Sequence, residues 1–376
     1  SGRLSVVRCG YFDDGRCRSC ELMGTPYAAQ LADKVARVRH QLDPVTSGAT
    51  WLEPLPSRES GFRNKAKLVV GGSPRDVTLG ILDQSGRGVD LRDCGLYEPA
   101  ISQALPQLID IVNRLELQPY SVPHRSGELK NILVTVNPAG ELMVRLVMRS
   151  THHLARITSR REQIHAALPH LKVLSVNILP EHKAVLEGER EIILTEQSSL
   201  PMLVNGHTLR LPVASFFQTN TAVAAGLYRQ AATWVDQAAP NLIWDLYCGI
   251  GGFAAHVAAP GREVTGVEVS AEAIAAARTT APQVRFVAGD ATAYARRHPS
   301  PDLVIVNPPR RGLGRELSAW LELSAARTVV YSSCHPGSLA EDLRQMPSWR
   351  VVQARVFDMF PQTHHVEVMA LLTRQD

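Results

Sequence analysis

Between residues 242 and 337 the chain repeats one pattern: a short apolar run, a turn, then helix-forming residues. The runs stand in "NLIWDLYCGIGGFAAHVAA", "EVTGVEVSAEAIAAARTTA", "VRFVAGDA", "DLVIVNPPRRG" and "TVVYSSCHPG". Each run is too short for a helix and rich in β-branched residues, so it reads as a buried strand. Strands alternating with helices build a doubly wound, mostly parallel α/β sheet, because parallel neighbours need a crossover between them. The pattern is entered near residue 211, where "SFFQTNTAVAAGLYRQAATWVDQ" passes from polar residues into a helix. It closes with "RVVQARVFDMF" and "HHVEVMALLTR", a hairpin. Ligands of such sheets bind beyond the carboxyl ends of the strands. The residues that follow each apolar run are therefore where chemistry is to be sought.

The first 210 residues differ. Residues 26–43 read as an amphipathic helix and 62–94 as alternating strands and a hairpin. A helix follows over 99–117, then strands at 129–136, 141–149, 173–179 and 191–195. This is an α+β pattern, and it divides the chain into domains 1–210 and 211–376. Residues 1–210 hold 26 Lys and Arg against 22 Asp and Glu, whereas 211–376 hold 14 against 14. The basic excess lies wholly in the first domain and hints at a polyanion there. Arg63, Lys65 and Lys67 share one face of a strand, and "PHRSGELKN" adds His124, Arg125 and Lys130. Phosphate gripping and a solvated strand face are both open readings of these residues. No signal-peptide core and no apolar run of membrane length is present, which points to the cytoplasm. The opening Ser1-Gly2 fits a tag remnant.

Without a secretion signal the six cysteines favour metal binding or catalysis over disulfides. Cys9, Cys17, Cys20 and Cys94 contain a single C-x-x-C. Four thiolates suit zinc or an iron–sulfur cluster, and spacing alone leaves both open.

In the second domain, "DLYCGIGGF" joins a strand to a helix, and glycines such as Gly249 let backbone approach a ligand closely. It is not GxGxxG, which disfavours a dinucleotide. Glu268 ends the next strand and can accept hydrogen bonds from ribose hydroxyls. Asp290 ends the third strand and suits the adenine side. Together they favour an adenosine-containing ligand and look like a class I S-adenosylmethionine-dependent methyltransferase domain. Asn-Pro-Pro at 307–309 is a pattern of amino-group methyltransferases, but those enzymes need no thiol. Cys334, at the end of the fifth strand, changes the chemistry. A thiolate serves an acceptor carbon that is not itself nucleophilic, such as C5 of uracil. Sulfur added at C6 activates C5, and a base must later remove the C5 proton. Glu367, with His364 and His365 nearby, is the candidate base.

"SFFQTN", "DLYCGIGGF", "VNPPRRG", "SSCHP" and "DMFPQTHHVE" together resemble the RNA uracil-C5 methyltransferases of the RumA/TrmA class, over nearly the whole chain. The resemblance implies Cys334 as nucleophile and Glu367 as proton acceptor. It implies that Gln218, Tyr247, Glu268 and Asn307 line the S-adenosylmethionine site. Many members carry Asp where this chain has Asn307. That residue, the chain length and the lack of a TRAM domain match one branch of this class, which implies a 747-type uridine of 23S rRNA as target. It also implies a [4Fe–4S] cluster on Cys9, Cys17, Cys20 and Cys94. Arg63, Lys65, Lys67 and Lys130 are the candidate RNA contacts, read from their charge and placement alone. No membrane and no obligate protein partner is implied. The rival readings are the same chemistry on a tRNA T-loop or another 23S uridine, and a non-catalytic cluster-bearing RNA-binding protein.

Overall fold

The computed structural model describes residues 6–375, so the Ser1-Gly2 pair lies outside the described residues. The chain forms two compact units, one built from residues 7–23 and 59–201, the other from 24–58 and 202–375. This differs from a single cut near residue 210. Residues 24–58 belong with the second unit because of what they pair with there. The helix α1 (Tyr27–Leu42) buries Val38 and Leu42 in that unit's core. The strand β1 (Thr50–Trp51) pairs in parallel with β7 (Trp349–Phe357), Thr50 opposite Gln353. Reading along the chain does not reveal partners so distant in sequence.

The second unit's remaining strands are β2 (Leu242–Leu246), β3 (Glu263–Glu268), β4 (Arg285–Ala288), β5 (Leu303–Val306), β6 (Thr328–Ser333) and β8 (Glu367–Arg374). Their order in the sheet is β1-β7-β8-β6-β5-β2-β3-β4. The run β6-β5-β2-β3-β4 is parallel, and β8 enters antiparallel between β6 and β7. Every residue of β5 and β6 is buried, as a parallel strand covered on both faces requires, which is why β5 is continuously apolar and β6 has an apolar centre. Strand order reverses between β2 and β5, so the loops after those two strands flank a switch point.

The first unit is a seven-stranded sheet. Its order is Gly88–Asp90, Asp76–Leu82, Lys65–Ser73, Leu129–Val136, Leu142–Met148, Leu171–Ile178 and Arg190–Ile193. Only the Leu142–Met148/Leu171–Ile178 pair is parallel. One face packs Leu68, Leu79, Ile132 and Leu146 against the helix Pro99–Arg114. On the Lys65–Ser73 strand Ala66, Leu68 and Val70 are buried, while Arg63, Lys65 and Lys67 alternate with the buried set. Arg145 is only 2% exposed. Its guanidinium donates to both carboxylate oxygens of Glu191 at 2.9 and 3.0 Å and to Glu187 at 2.7 Å. Among the described residues no helix is long and apolar enough to cross a membrane.

Candidate active site

The carboxyl ends of β2, β3, β5 and β6 and the start of β8 surround one cavity of about 610 Å³. After β2 the chain turns sharply. Tyr247 takes a left-handed conformation (φ +60°) and Gly251 another (φ +88°), which opens the helix Gly252–Val257. A bulky residue held at positive φ is strain of the kind found at functional sites. Gly252 has a packing reason to be glycine, since a Cβ there would stand 2.4 Å from the Tyr228 hydroxyl. Asp245, fully buried in β2, accepts the Ala254 amide at 3.0 Å and so ties the strand to that helix. Burial, aided by the charge of Glu268, pushes its carboxyl up to about 8.

The expected cofactor residues Gln218, Tyr247, Gly249, Glu268, Asp290 and Asn307 all line this cavity. Gln218 is buried on the approach to the helix Thr221–Ala238. Glu268 accepts the Ser270 amide at 2.8 Å through one oxygen. Asp290 caps the helix Ala291–Arg297, accepting the Ala293 amide at 2.8 Å, so it has a structural duty besides its place on the wall.

Cys334 and Glu367 line the same cavity. Strands β6 and β8 are antiparallel, with Ser333 opposite Val368. Cys334 follows Ser333 and Glu367 precedes Val368, so the two stand at the same end of this strand pair. Glu367 is 4% exposed, and its Oε2 has no hydrogen-bond partner. Desolvation alone pushes its carboxyl up to about 8. Burial also raises the Cys334 thiol and the charge of Glu367 raises it further, while Arg310 acts in the opposite sense. The two groups therefore oppose each other's ionisation. Cys248 also lines the cavity, but deep burial pushes its thiol far up and leaves it a poor nucleophile. His364 and His365 are exposed and do not line the cavity.

Two supporting residues fall outside the set expected from the sequence. Asp342 accepts from the Tyr331 hydroxyl at 2.6 Å and from the Leu313 and Gly314 amides at 2.7 and 3.3 Å. It thereby fixes the end of the Pro-Pro-Arg-Arg-Gly loop to β6. Nothing in an acid within "LAEDLR" marks it as such. Asp245 stands inside the apolar run "LIWDL", where one of its oxygens takes the Ala254 amide and the other has no hydrogen-bond partner.

In the first unit, Cys9, Cys17, Cys20 and Cys94 line a cavity of about 400 Å³. Burial, and then the neighbouring thiols, push Cys20 up to about 12 and raise Cys94 as well. Even so, among the described residues no group of three or more His, Cys, Asp or Glu side chains is arranged to hold a metal ion. The expected RNA contacts fare unevenly. Lys67 is exposed and Arg63 half-buried. Lys65 is half-buried, and burial, then Lys67 and Arg145, push its ammonium down to about 8. Lys130 does not present a cation to solvent. It is 7% exposed, donates to the Glu181 carbonyl at 2.7 Å and lies 4.7 Å from the centre of the Tyr120 ring. His124 and Arg125 are exposed.

The chain is similar to known proteins along almost its whole length. A family model described as tRNA (Uracil-5-)-methyltransferase matches residues 298–375, and a methyltransferase-domain model matches 243–319. A 23S rRNA (uracil(747)-C(5))-methyltransferase RlmC of Halothiobacillus neapolitanus is 49% identical, over 98% of this chain and 100% of the relative. The protein of the same name from Yersinia pestis is 45% identical, over 98% of this chain and 99% of its own length. Among solved structures, a Pyrococcus abyssi tRNA (uracil-54, C5)-methyltransferase in complex with S-adenosyl-L-homocysteine superposes with a TM-score of 0.77. It is 22% identical and covers 94% of this chain and 86% of its own, a likeness of fold.

Proposed function

The chain belongs to the RNA (uracil-C5)-methyltransferase family, and on that premise we propose how it works and on which RNA. It is an S-adenosylmethionine-dependent enzyme that methylates C5 of a uridine in 23S rRNA, at the 747-type site for which its relatives are named. One observation carries the mechanism: a thiol and an unpartnered carboxylic acid end facing strands inside a single cavity.

Cys334 is the nucleophile. Its sulfur gives an electron pair to C6 of the uracil, and the C5–C6 pair moves toward O4. C5 then bonds to the methyl carbon. When bound, S-adenosylmethionine would supply that electrophilic methyl group, whose bond to the sulfonium sulfur breaks with its electron pair left on sulfur. Glu367 next takes the proton left on C5. The C5–H pair restores the C5–C6 double bond, the C6–S bond breaks, and Cys334 leaves as thiolate. Burial suits Glu367 to this task, because a carboxylate with a raised pKa is a stronger base. Arg310 favours the Cys334 thiolate. The cavity has the size of a nucleoside-type site. Glu268 faces the ribose hydroxyls and Asp290 the adenine side, with Gln218, Tyr247, Gly249 and Asn307 completing the wall.

The first unit grips RNA and works with it in the cytoplasm. Lys67 is an exposed strand cation and Arg63 flanks it, whereas Lys130 is taken up by internal contacts. The four cysteines line one cavity, and thiolates so placed suit a [4Fe–4S] cluster. Cys9, Cys17, Cys20 and Cys94 would hold it. It would supply iron–thiolate bonds that cross-link the 9–20 segment to Cys94.

Mapping 5-methyluridine in RNA from cells with and without this protein tests the assignment. Loss confined to the 747-type uridine of 23S rRNA, restored by the wild type but not by Cys334→Ala, is the expected result. Loss at a tRNA T-loop or another rRNA uridine would move the target, and restoration by Cys334→Ala would remove the nucleophile. Iron at about four per chain in anaerobically purified protein, lost in Cys17→Ser, tests the cluster. Stoichiometric zinc would contradict it.

A further inference from the structure

Glu367 is the first residue of β8, and the loop that delivers it is residues 358–366, between β7 and β8. Within the loop, Thr363 Oγ1 donates to the Phe360 carbonyl at 2.8 Å and accepts the His365 amide at 3.2 Å. Phe360 lines the active-site cavity, and Gln362 sits in a left-handed conformation (φ +70°), which costs a non-glycine residue energy. A polar stripe on α1 anchors the loop to the rest of the fold, besides the Asp358 amide's bond to the Leu55 carbonyl and the burial of Met359 and Val366.

Tyr27, Gln30, Lys34 and Arg37 recur at helical spacing, so they share one face of α1. Each reaches the loop. The Tyr27 hydroxyl donates to Asp358 at 2.8 Å. Lys34 Nζ donates to the other Asp358 oxygen at 2.7 Å and to the Phe360 carbonyl at 2.9 Å. Gln30 binds Gln362 reciprocally: its Nε2 donates to Gln362 Oε1 at 2.8 Å, and its Oε1 accepts the Gln362 backbone amide at 3.1 Å. Arg37 donates to the His364 carbonyl. Lys34 and Asp358 are 2% and 0% exposed, respectively.

A buried ion pair is a poor way to gain stability, since its desolvation offsets most of its attraction. Such a pair is better suited to fixing geometry. This one fixes the backbone on either side of Phe360, and Gln30 fixes the strained residue two positions on. We propose that Lys34 and Gln30 are positioning residues for the proton-abstraction step: α1 sets where Glu367 stands relative to Cys334. The proposal rests on the reading of Glu367 as the C5 proton acceptor, and it assigns a task to a helix that lies outside the methyltransferase motifs.

The test separates two steps in single turnover on 23S rRNA fragments with S-adenosylmethionine. Methyl transfer to RNA is followed by a labelled methyl group, and release by the decay of denaturation-resistant RNA–protein adduct. In Lys34→Met and Gln30→Ala we expect methyl transfer within about threefold of wild type, with adduct release slowed by up to about 10²-fold, the scale of a misplaced catalytic group. Lys34→Met leaves Asp358 buried and unpaired and can unfold the protein. Lys34→Met/Asp358→Leu removes both charges and restores a stable core. Slow release in that folded double variant, with Lys34→Arg restoring release, supports positioning. Equal slowing of both steps, or normal release in the double variant, overturns it. Glu367→Gln is run alongside. If it releases as fast as wild type, the proton-acceptor reading itself fails; if it stalls while Lys34→Met/Asp358→Leu does not, only the positioning claim fails.

Discussion

Two buried ionisable groups in this molecule are treated in opposite ways. Arg145, in the sheet of the first unit, has its guanidinium engaged by Glu187 and Glu191. Glu191 in turn is held by Ser175 and Asn177 at 2.6 and 2.7 Å, and its carboxyl lies below the usual range despite burial, through these bonds. Glu367, at a strand end of the second unit, has an oxygen with no partner and a carboxyl pushed up to about 8. Both are almost fully buried, so burial alone does not separate structure from chemistry. Partnering does. A buried charge that serves the fold is satisfied, because leaving it unsatisfied costs several kcal/mol. A buried acid left unsatisfied on the wall of the cavity, as Glu367 is and Asp245 is not, is held for a partner that arrives with the substrate.

The comparison breaks first at Arg145. Arg145→Met strands two carboxylates and should destabilise the first unit by about 3 kcal/mol, the low end for a broken buried pair because Glu187 keeps some water. Hydrogen exchange over Leu142–Met148 in a urea series measures this, and a change below about 0.5 kcal/mol would place Arg145 outside the structural class. Glu268 lies between the extremes, half-buried with one backbone partner. Glu268→Ala should weaken S-adenosylmethionine binding by about 1–3 kcal/mol by calorimetry, the worth of a charge-assisted hydrogen bond. Binding of NAD or FAD in place of S-adenosylmethionine would overturn that site. The smallest effect belongs to exposed Lys67. Lys67→Ala should reduce the salt slope of RNA binding by about one. Lys130→Met should leave the slope unchanged, because that ammonium already faces Glu181 and Tyr120.

Much of the second unit was legible because its strands are buried on both faces and its turns are chemically distinct. "LVIV" before "NPPRRG" and "VVYSS" before "CHPG" admit few other readings, and strand ends are where this architecture keeps its ligands. The site residues could be named from there. What the sequence did not reveal has a common cause, pairing between distant segments. The helix at 27–42 reads as ordinary and amphipathic, yet Gln30 and Lys34 are on its buried side, because they meet residues 358–364. Lys130 looks like a surface cation beside Arg125 until the Glu181 carbonyl is seen above it. Asp342 looks like a helix-surface acid until Tyr331 and the 313–314 amides converge on it. In each case a polar residue was read by its own neighbourhood, and a partner far along the chain decided its role.

The central claim, that the unpartnered acid sharing the cavity with Cys334 removes the C5 proton, is tested most directly by the fate of the covalent adduct as a function of pH. In wild type, Glu367 holds its proton below about 8. The carboxylate fraction, and with it the rate of adduct release, should rise about tenfold per pH unit up to that point and level off above it. Glu367→Gln should methylate the RNA and then stall as a denaturation-resistant adduct at every pH, while Cys334→Ala forms none. Release from Glu367→Gln at the wild-type rate, or an adduct formed by Cys334→Ala, would contradict the account.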